Sequence, residues 1–189
     1  MKIARILYPV RSLGPGTRLV IWTAGCKKKC KGCMSVELWN PDCGTDFKNS
    51  ELTEIITKYA SKHTVDGITI SGGDPLEQPE ELIDLVSGLK PVINDILVFT
   101  GFTIKELSEI LGKEQFTTLK NNVSVLVDGR FEENNCDKNP LRGSANQKIH
   151  IFDHKVKSLY EEYCSVSHGV ETRLLGPELL FVGIPKQEE

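Results

Sequence analysis

The 189-residue sequence predicts an α/β fold with a mostly parallel sheet, either open or curled into part of a barrel. Two observations carry this expectation. Apolar, β-branched runs alternate with segments of helical period, and several of those runs are continuous enough to be buried on both faces, as parallel strands are. A third observation limits it: a full eight-unit barrel takes about 250 residues, so a barrel built from this chain must be incomplete. Such a barrel has a wide opening on one side, which suits a macromolecular substrate better than a sequestered small molecule.

The elements follow in order. Residues 3–7, 18–22, 67–70, 96–99 and 123–127 read as strands. Residues 51–62 place Leu52, Ile55, Ile56 and Tyr59 on one helical face behind Ser50 as N-cap, and residues 79–89 do the same with Leu82, Leu85, Val86 and Leu89. A third helix is expected over 103–111, with Thr103 as its cap. The order is β, β, α, β, α, β, α, β. Residues 149–152 read as a further strand. The tail adds a helix over 155–164 and two strand-like runs, 170–174 and 178–183, joined by a turn at Gly176-Pro177. No repeat, low-complexity stretch or linker divides the chain, so 1–189 is expected to be one domain.

Composition narrows the function classes. A net charge of −3 and a pI near 5.9 argue against a protein that coats nucleic acid or an anionic membrane. The first twelve residues hold an apolar run too short and interrupted for a signal sequence or a membrane span, so a cytoplasmic, reducing compartment is expected. Six cysteines are present, which is unusual for such a protein, and three of them, Cys26, Cys30 and Cys33, fall within eight residues. A secreted disulfide framework would spread its cysteines along the chain.

Cys26, Cys30 and Cys33 form CxxxCxxC in a Gly- and Lys-rich loop directly after the second strand. Three thiolates without a fourth at matching spacing suit an iron-sulfur cluster that keeps one iron open, whereas structural zinc takes four closed ligands. The zinc alternative would recruit Cys43. Lys27, Lys28, Lys29 and Lys31 surround the thiols; either they lower thiolate pKa and offer an acidic electron carrier a docking rim, or they are a solvated charge run. Cys43, Cys136 and Cys164 lack partner spacing and read as structural thiols. His150 and His154 are not expected to form a metal pair, because 149–152 reads as strand.

Four motifs fall at the C-terminal ends of expected strands: the cysteine loop, Gly72-Gly73, Thr100-Gly101 and Asp128-Gly129. That edge is where parallel α/β sheets bind ligands, so one shared site is expected. Gly72 and Gly73 suit close backbone approach to a ligand, or else a simple strand-to-helix turn with Asp74-Pro75 starting the next helix. Gly14-Pro15-Gly16 is expected to shape the same mouth. Asp128, Arg130, Arg142, Asn146 and Gln147 either line a partner-binding rim or satisfy the backbone of a long loop.

The cysteine loop (AGCKKKCKGCM) is followed by SGGDPL at 71–76, FTGFT at 99–103, VLVDGRF at 125–131 and LRGSANQKI at 141–149. Together with GPGTRLVIWTAGC at 14–26, this ordered set resembles the radical S-adenosylmethionine (SAM) proteins. Within them it is most similar to the activating proteins of anaerobic ribonucleotide reductase. The resemblance extends over about 11–149, leaving about 150–189 as a C-terminal extension. It implies an incomplete, TIM-like barrel of radical SAM type with a short C-terminal extension. It also implies a [4Fe-4S] cluster on Cys26, Cys30 and Cys33, with its fourth iron chelated by SAM. Reductive cleavage of SAM would give a 5′-deoxyadenosyl radical that generates a glycyl radical on a partner, such as the large subunit of anaerobic ribonucleotide reductase. By the same resemblance Gly32, Cys33, Met34, Ser71, Gly72 and Gly73 contact SAM, Thr100 and Gly101 meet its adenosyl part, and flavodoxin or ferredoxin supplies the electron. No catalytic residue beyond the cluster ligands is implied. The glycine before Cys33 fits the reductase activators, which tend to have CPGC, whereas many other members carry an aromatic there. Two departures stand out. Asn40-Pro41 comes later than the Asn-Pro run the activators usually show after the third cysteine, and the extension has no matched motif. The alternatives are a radical SAM enzyme acting on a peptide or small molecule, resembling a peptide maturase or 7-carboxy-7-deazaguanine synthase, and a non-enzymatic zinc or iron-sulfur module. An air-sensitive cluster further implies activity in anaerobic cells.

Overall fold

Strand β1 (Lys2–Val10) pairs antiparallel with β2 (Arg18–Thr23) and, on its other side, with the two-residue β3 (Thr45–Asp46) in the computed structural model, which describes residues 1–176 and 178–185. From β2 the sheet continues in parallel through β4 (Gly67–Gly72), β5 (Ile96–Phe99) and β6 (Val125–Asp128), and ends on an antiparallel strand, β7 (Lys148–Ile151). The strand order is β3-β1-β2-β4-β5-β6-β7, an open mixed sheet with a parallel centre that is compatible with a partial barrel. All six residues of β2 are buried, as expected of a strand covered on both faces.

Each parallel crossover carries a helix: α1 (Asn49–Ala60) ahead of β4, α2 (Pro79–Leu89) ahead of β5 and α3 (Ile104–Asn122) ahead of β6. A common crossover hand puts all three on one face. There Leu52, Leu82, Leu85 and Leu107 pack with Ile21, Ile70, Ile96 and Val98. The alternate residues Val20, Trp22, Leu97, Val125 and Val127 point to the opposite face, following the two-residue period of strands. Two elements of the tail cover that face: α4 (Lys157–Ser165), through Tyr160 and Tyr163, and an antiparallel pair, β8 (Glu171–Leu175) and β9 (Glu178–Val182), through Leu180 and Val182. Among the described residues no helix is long and apolar enough to cross a membrane.

The element order matches the sequence expectation, and the differences are local. Helix α1 begins at Asn49 after Lys48, so Ser50 sits inside the first turn and caps nothing, and Ile55 is 53% exposed because Leu52 and Ile56 suffice to seat the helix. Thr103 does cap α3, in a reciprocal box with Glu106, but the helix runs on to Asn122 past a break at Gly112, where φ is +66°. The strand expected at 123–127 begins two residues later, and β3 was not anticipated because two residues carry no period. Of the expected Gly176-Pro177 turn, Pro177 lies outside the described residues.

The N-terminal edge of the parallel sheet is held by a buried polar network. The Arg18 guanidinium donates to Asp95 Oδ2 (2.6 Å), Thr69 Oγ1 (2.6 Å) and the carbonyls of Ile68 (2.7 Å) and Pro15 (3.1 Å), while the Tyr160 hydroxyl donates to Asp95 Oδ1 (3.0 Å). Gly14-Pro15-Gly16 therefore closes the sheet end opposite the cysteine loop instead of shaping its mouth.

Candidate functional site

The C-terminal ends of β2, β4, β5 and β6 lie side by side, as their parallel registers require. Beyond that edge is a cavity of about 530 Å3. Cys26, Cys30 and Cys33 line it together with Gly32, Met34, Ser71, Gly72, Gly73, Thr100 and Gly101. Ten sequence-selected residues thus meet in one place.

The cysteine loop leaves β2 at Thr23 and is pinned from behind by a turn at 36–39. Gly25 N–H donates to the Leu38 carbonyl (2.8 Å) and Cys26 N–H to the Trp39 carbonyl (3.0 Å). Cys33 N–H closes a turn onto the Cys30 carbonyl (3.2 Å), and Ser35 N–H donates to Cys33 Sγ at 3.4 Å. All three thiols are half-buried.

Gly72 and Gly73 weld β4 to that loop. A Cβ on Gly72, where φ is +116°, would stand 2.3 Å from Thr23 N, and one on Gly73 would stand 2.4 Å from the Gly25 carbonyl oxygen. Gly73 N–H donates to the Thr23 carbonyl (2.8 Å) and Asp74 N–H to the Gly25 carbonyl (2.9 Å). The glycine requirement therefore comes first from backbone packing against the cysteine loop.

Asp74, 1% exposed, joins three elements. Its Oδ1 accepts from the Thr100 hydroxyl (2.8 Å) and Leu76 N–H (3.0 Å), capping the short turn Pro75–Glu77, and α2 starts only at Pro79. Its Oδ2 accepts from Gly101 N–H (2.9 Å) and pairs with the Lys28 ammonium (2.9 Å). That ammonium also meets Glu77 Oε1 (3.1 Å) and lies 3.2 Å above the centre of the Phe102 ring. Burial would raise the Glu77 carboxyl, but the hydrogen bond and charge of Lys28, with help from Lys27, hold it below its ordinary value.

The lysine run thus divides. Lys27 and Lys31 are 90% and 88% exposed and pair with Glu77 (3.4 Å) and Glu133 (2.8 Å) at the surface, while Lys28 is enclosed under the loop. The expected depression of thiolate pKa is reversed at Cys26. Burial pushes this thiol up; backbone hydrogen bonds at Lys28 and Lys29 and the Lys28 charge oppose that push, and Asp74 adds to it.

The polar series at 128–147 is mostly occupied within its own loop. Asp128 accepts from Ile104 N–H (2.6 Å) and Lys148 N–H (3.2 Å), Arg142 donates to Asp137 (2.6 Å) and the Gln147 carbonyl (3.0 Å), and Asn146 donates to the Arg130 carbonyl (2.8 Å). Gln147 bridges Gly143 N–H and the Gly129 carbonyl and is the member that lines the cavity. Arg130 is the exposed one, 3.9 Å from Glu106.

Sequence reasoning placed Lys28 around the thiols without singling it out from its neighbours, and missed Asp74 and Glu77 as site residues; the acidic residues at 74 and 77 just after a Gly-Gly pair were the available signal. It also missed Cys136, which lines the cavity from the 129–147 loop, and Leu179, Phe181 and Val182 of the tail, which line it from the other side. Cys43 is exposed and Cys164 sits on α4; neither is part of the lining.

A family model described as a 4Fe-4S single cluster domain matches residues 12–150. The chain is similar to proteins named anaerobic ribonucleoside-triphosphate reductase-activating protein. That of Enterobacteria phage T4 is 35% identical over 148 residues, covering 76% of this chain and 90% of the relative. The Haemophilus influenzae protein is 36% identical over 152 residues (77% and 95%), and the Escherichia coli protein 33% over 150 residues (76% and 94%). The family model stops at residue 150, ahead of α4 and the β8–β9 pair.

Proposed function

From the premise that this chain belongs to the family of anaerobic ribonucleoside-triphosphate reductase-activating proteins and carries a 4Fe-4S domain, we propose that it is a radical SAM enzyme that installs a glycyl radical on such a reductase. The observation that carries the reading is the convergence of Cys26, Cys30 and Cys33 with Gly72, Gly73, Thr100 and Gly101 on one cavity of about 530 Å3, inside the range of roughly 300–1,000 Å3 usual for cofactor-sized ligands.

The donor set fits a cluster. Three thiols of one loop line the same cavity, and soft thiolates are the ligands that iron-sulfur clusters take. Cys26, Cys30 and Cys33 would hold it, and the Ser35 N–H already directed at Cys33 Sγ is the kind of bond that tunes a cluster's potential. When bound, the cluster and SAM supply reductive cleavage of a carbon-sulfur bond and, from it, hydrogen abstraction from a carbon.

The chain's own residues bind, orient and exclude water. Gly32, Met34, Ser71, Gly72 and Gly73 would line the methionyl part with backbone groups. Thr100 and Gly101 would border the adenosyl part through their backbone, since the Thr100 hydroxyl is engaged by Asp74. Asp74 and Lys28 hold these three loops in register. Trp22 and Phe99 give the cavity apolar walls. The exposed Lys27, Lys29 and Lys31 form the rim at which an acidic carrier of the flavodoxin or ferredoxin class would dock. The reading takes 1–189 as one domain with its radical SAM core over about 11–149, acting in the cytoplasm of anaerobic cells.

Anaerobic reconstitution with iron, sulfide, dithionite and SAM is expected to release 5′-deoxyadenosine, and the release should vanish in Cys30→Ala. Adding the reductase large subunit should then give a glycine-centred EPR signal. Wild-type protein that binds a cluster yet leaves SAM intact would overturn the reading.

A further inference from the structure

We propose that Cys136 is an exchangeable fourth ligand, whose thiolate occupies the open iron of the same cluster until SAM replaces it. The inference deepens the reading above and rests on it.

The fold puts the remaining thiols in different places. Cys43 ends an exposed turn and Cys164 contacts Asn139 from α4, whereas Cys136 shares the cavity lining with Cys26, Cys30 and Cys33. The cavity therefore holds four thiols, the number that closes a cluster. The loop carrying Cys136 is also tied to the cysteine loop itself. Glu133 pairs with Lys31 (2.8 Å), and its Oε1 lies 2.9 Å from where a Cβ on Gly32 would stand, one residue before Cys33. Cys136 follows the short turn Glu133–Asn135 that begins at this contact.

The segment around Cys136 is fixed on its far side as well. Cys136 bridges to Ser144, Ala145 N–H donates to the Asn135 carbonyl (2.7 Å), and Arg142 is paired with Asp137. The thiol itself donates to the Glu133 carbonyl at 3.3 Å, a weak sulfur hydrogen bond that is readily given up. A soft thiolate on a stationary loop is a suitable ligand for iron. Formation of the iron-sulfur bond releases the thiol proton to solvent with no electron transferred. When the amino and carboxylate groups of SAM take that iron, the thiolate leaves and regains a proton.

The test uses the full chain, Cys136→Ala, Cys136→Ser, and Cys164→Ala as a matched control, each reconstituted anaerobically with 57Fe. Mössbauer spectra are recorded before and after SAM, and iron loss under mild oxidation is followed by the EPR signal of the three-iron product. Without SAM, the wild type and Cys164→Ala should show a fourth iron in an all-sulfur environment, and Cys136→Ala a fourth iron ligated by oxygen or nitrogen. Cys136→Ala should lose that iron severalfold faster, SAM should abolish the difference, and its SAM affinity should be severalfold tighter because no internal ligand competes. Cys136→Ser, which keeps a donor for the Glu133 carbonyl, separates loss of ligation from loss of fold. Identical spectra and iron-loss rates in wild type and both Cys136 variants, with SAM cleavage intact, would overturn this proposal alone. A wild type that takes up no four-iron cluster would overturn the cluster reading and this proposal together.

Discussion

The Lys28 ammonium reaches from the cysteine loop to the Asp74 carboxylate at 2.9 Å, with the two side chains only 6% and 1% exposed. The pair joins the loop that carries the thiols to the ends of β4 and β5, because Asp74 also accepts from Thr100 and Gly101.

Breaking that pair should disturb the site more than it unfolds the protein. A buried charge left without its partner costs about 3 kcal/mol or more, and the three other donors on Asp74 temper the loss. Lys28→Met is expected to lower Tm by several degrees and weaken SAM binding at least severalfold, while Lys28→Met with Asp74→Asn should recover part of the stability. Additive effects in that double-mutant cycle, measured by thermal melts, would refute the coupling.

The two glycines should tolerate nothing larger. Alanine at Gly73 meets the Gly25 carbonyl at 2.4 Å, and alanine at Gly72 adds a positive φ to a backbone clash. Overpacking and strain of this kind cost about 1–3 kcal/mol each. Gly73→Ala is expected to reconstitute with markedly less iron. Gly112→Ala is the contrast: φ is +66° but nothing lies within 4 Å, so it should lose only about 1 kcal/mol and keep full iron content. Equal iron content in both variants, measured by colorimetric assay, would count against the packing argument.

Stability should fall in alkali because of α4. Burial pushes Tyr163 up to about 12 and Tyr160 well above the ordinary tyrosine value; at Tyr160 the Arg18 charge pulls back and Asp95 adds to the rise. A phenol kept neutral in the fold but ionised in the unfolded chain contributes stability that is complete below the unfolded pKa of about 10 and is lost as pH climbs toward the folded one. Unfolding free energies from urea titrations should therefore drop from pH 10 upward, by at most about 1.4 kcal/mol per pH unit for each such tyrosine. Tyr163→Phe should flatten the slope between about 10 and 12. A slope unchanged by that substitution would show that Tyr163 is not responsible.

The tail hairpin is held by few anchors and should detach locally. The Glu171 carboxylate accepts from Arg11 N–H and Ser12 N–H, both at 2.6 Å, and pairs with Arg173, while the Ser12 hydroxyl donates to the Val182 carbonyl at 2.8 Å. Glu171→Ala is expected to expose the segment after α4 to limited proteolysis while the main unfolding transition moves little. Cleavage no faster than in the wild type would argue that the apolar contacts of Leu180 and Val182 suffice on their own.

Much of the architecture was legible because it is written locally. Leu82, Leu85, Val86 and Leu89 lie on the core face of α2 as their spacing requires, and Thr103 caps α3 because the box with Glu106 needs only four consecutive residues. Where local signals misled, a tertiary contact or its absence was the reason. Ser50 is a good cap residue two positions too late, Ile55 fits the helical stripe yet finds no strand to cover it, and Gly14-Pro15-Gly16 lies at the end of β2 away from the cysteine loop despite its nearness in sequence.

By itself the sequence determined the strands and helices of the sheet apart from β3 and the far half of α3, that the motifs share one sheet edge, and that Cys26, Cys30 and Cys33 stand in one loop. Period, turn chemistry and spacing are properties of neighbouring residues, and a parallel sheet aligns every strand end automatically. Only the tertiary structure decided that Lys28 is enclosed while Lys27 and Lys31 are not, that Asp74 is the junction of three loops, that Arg18 meets Asp95 across 77 positions, and that Cys136 joins the other thiols while Cys43 and Cys164 do not. Those pairings depend on strand register and on how loops close over the sheet, and no periodicity in the chain encodes a contact between residues that distant.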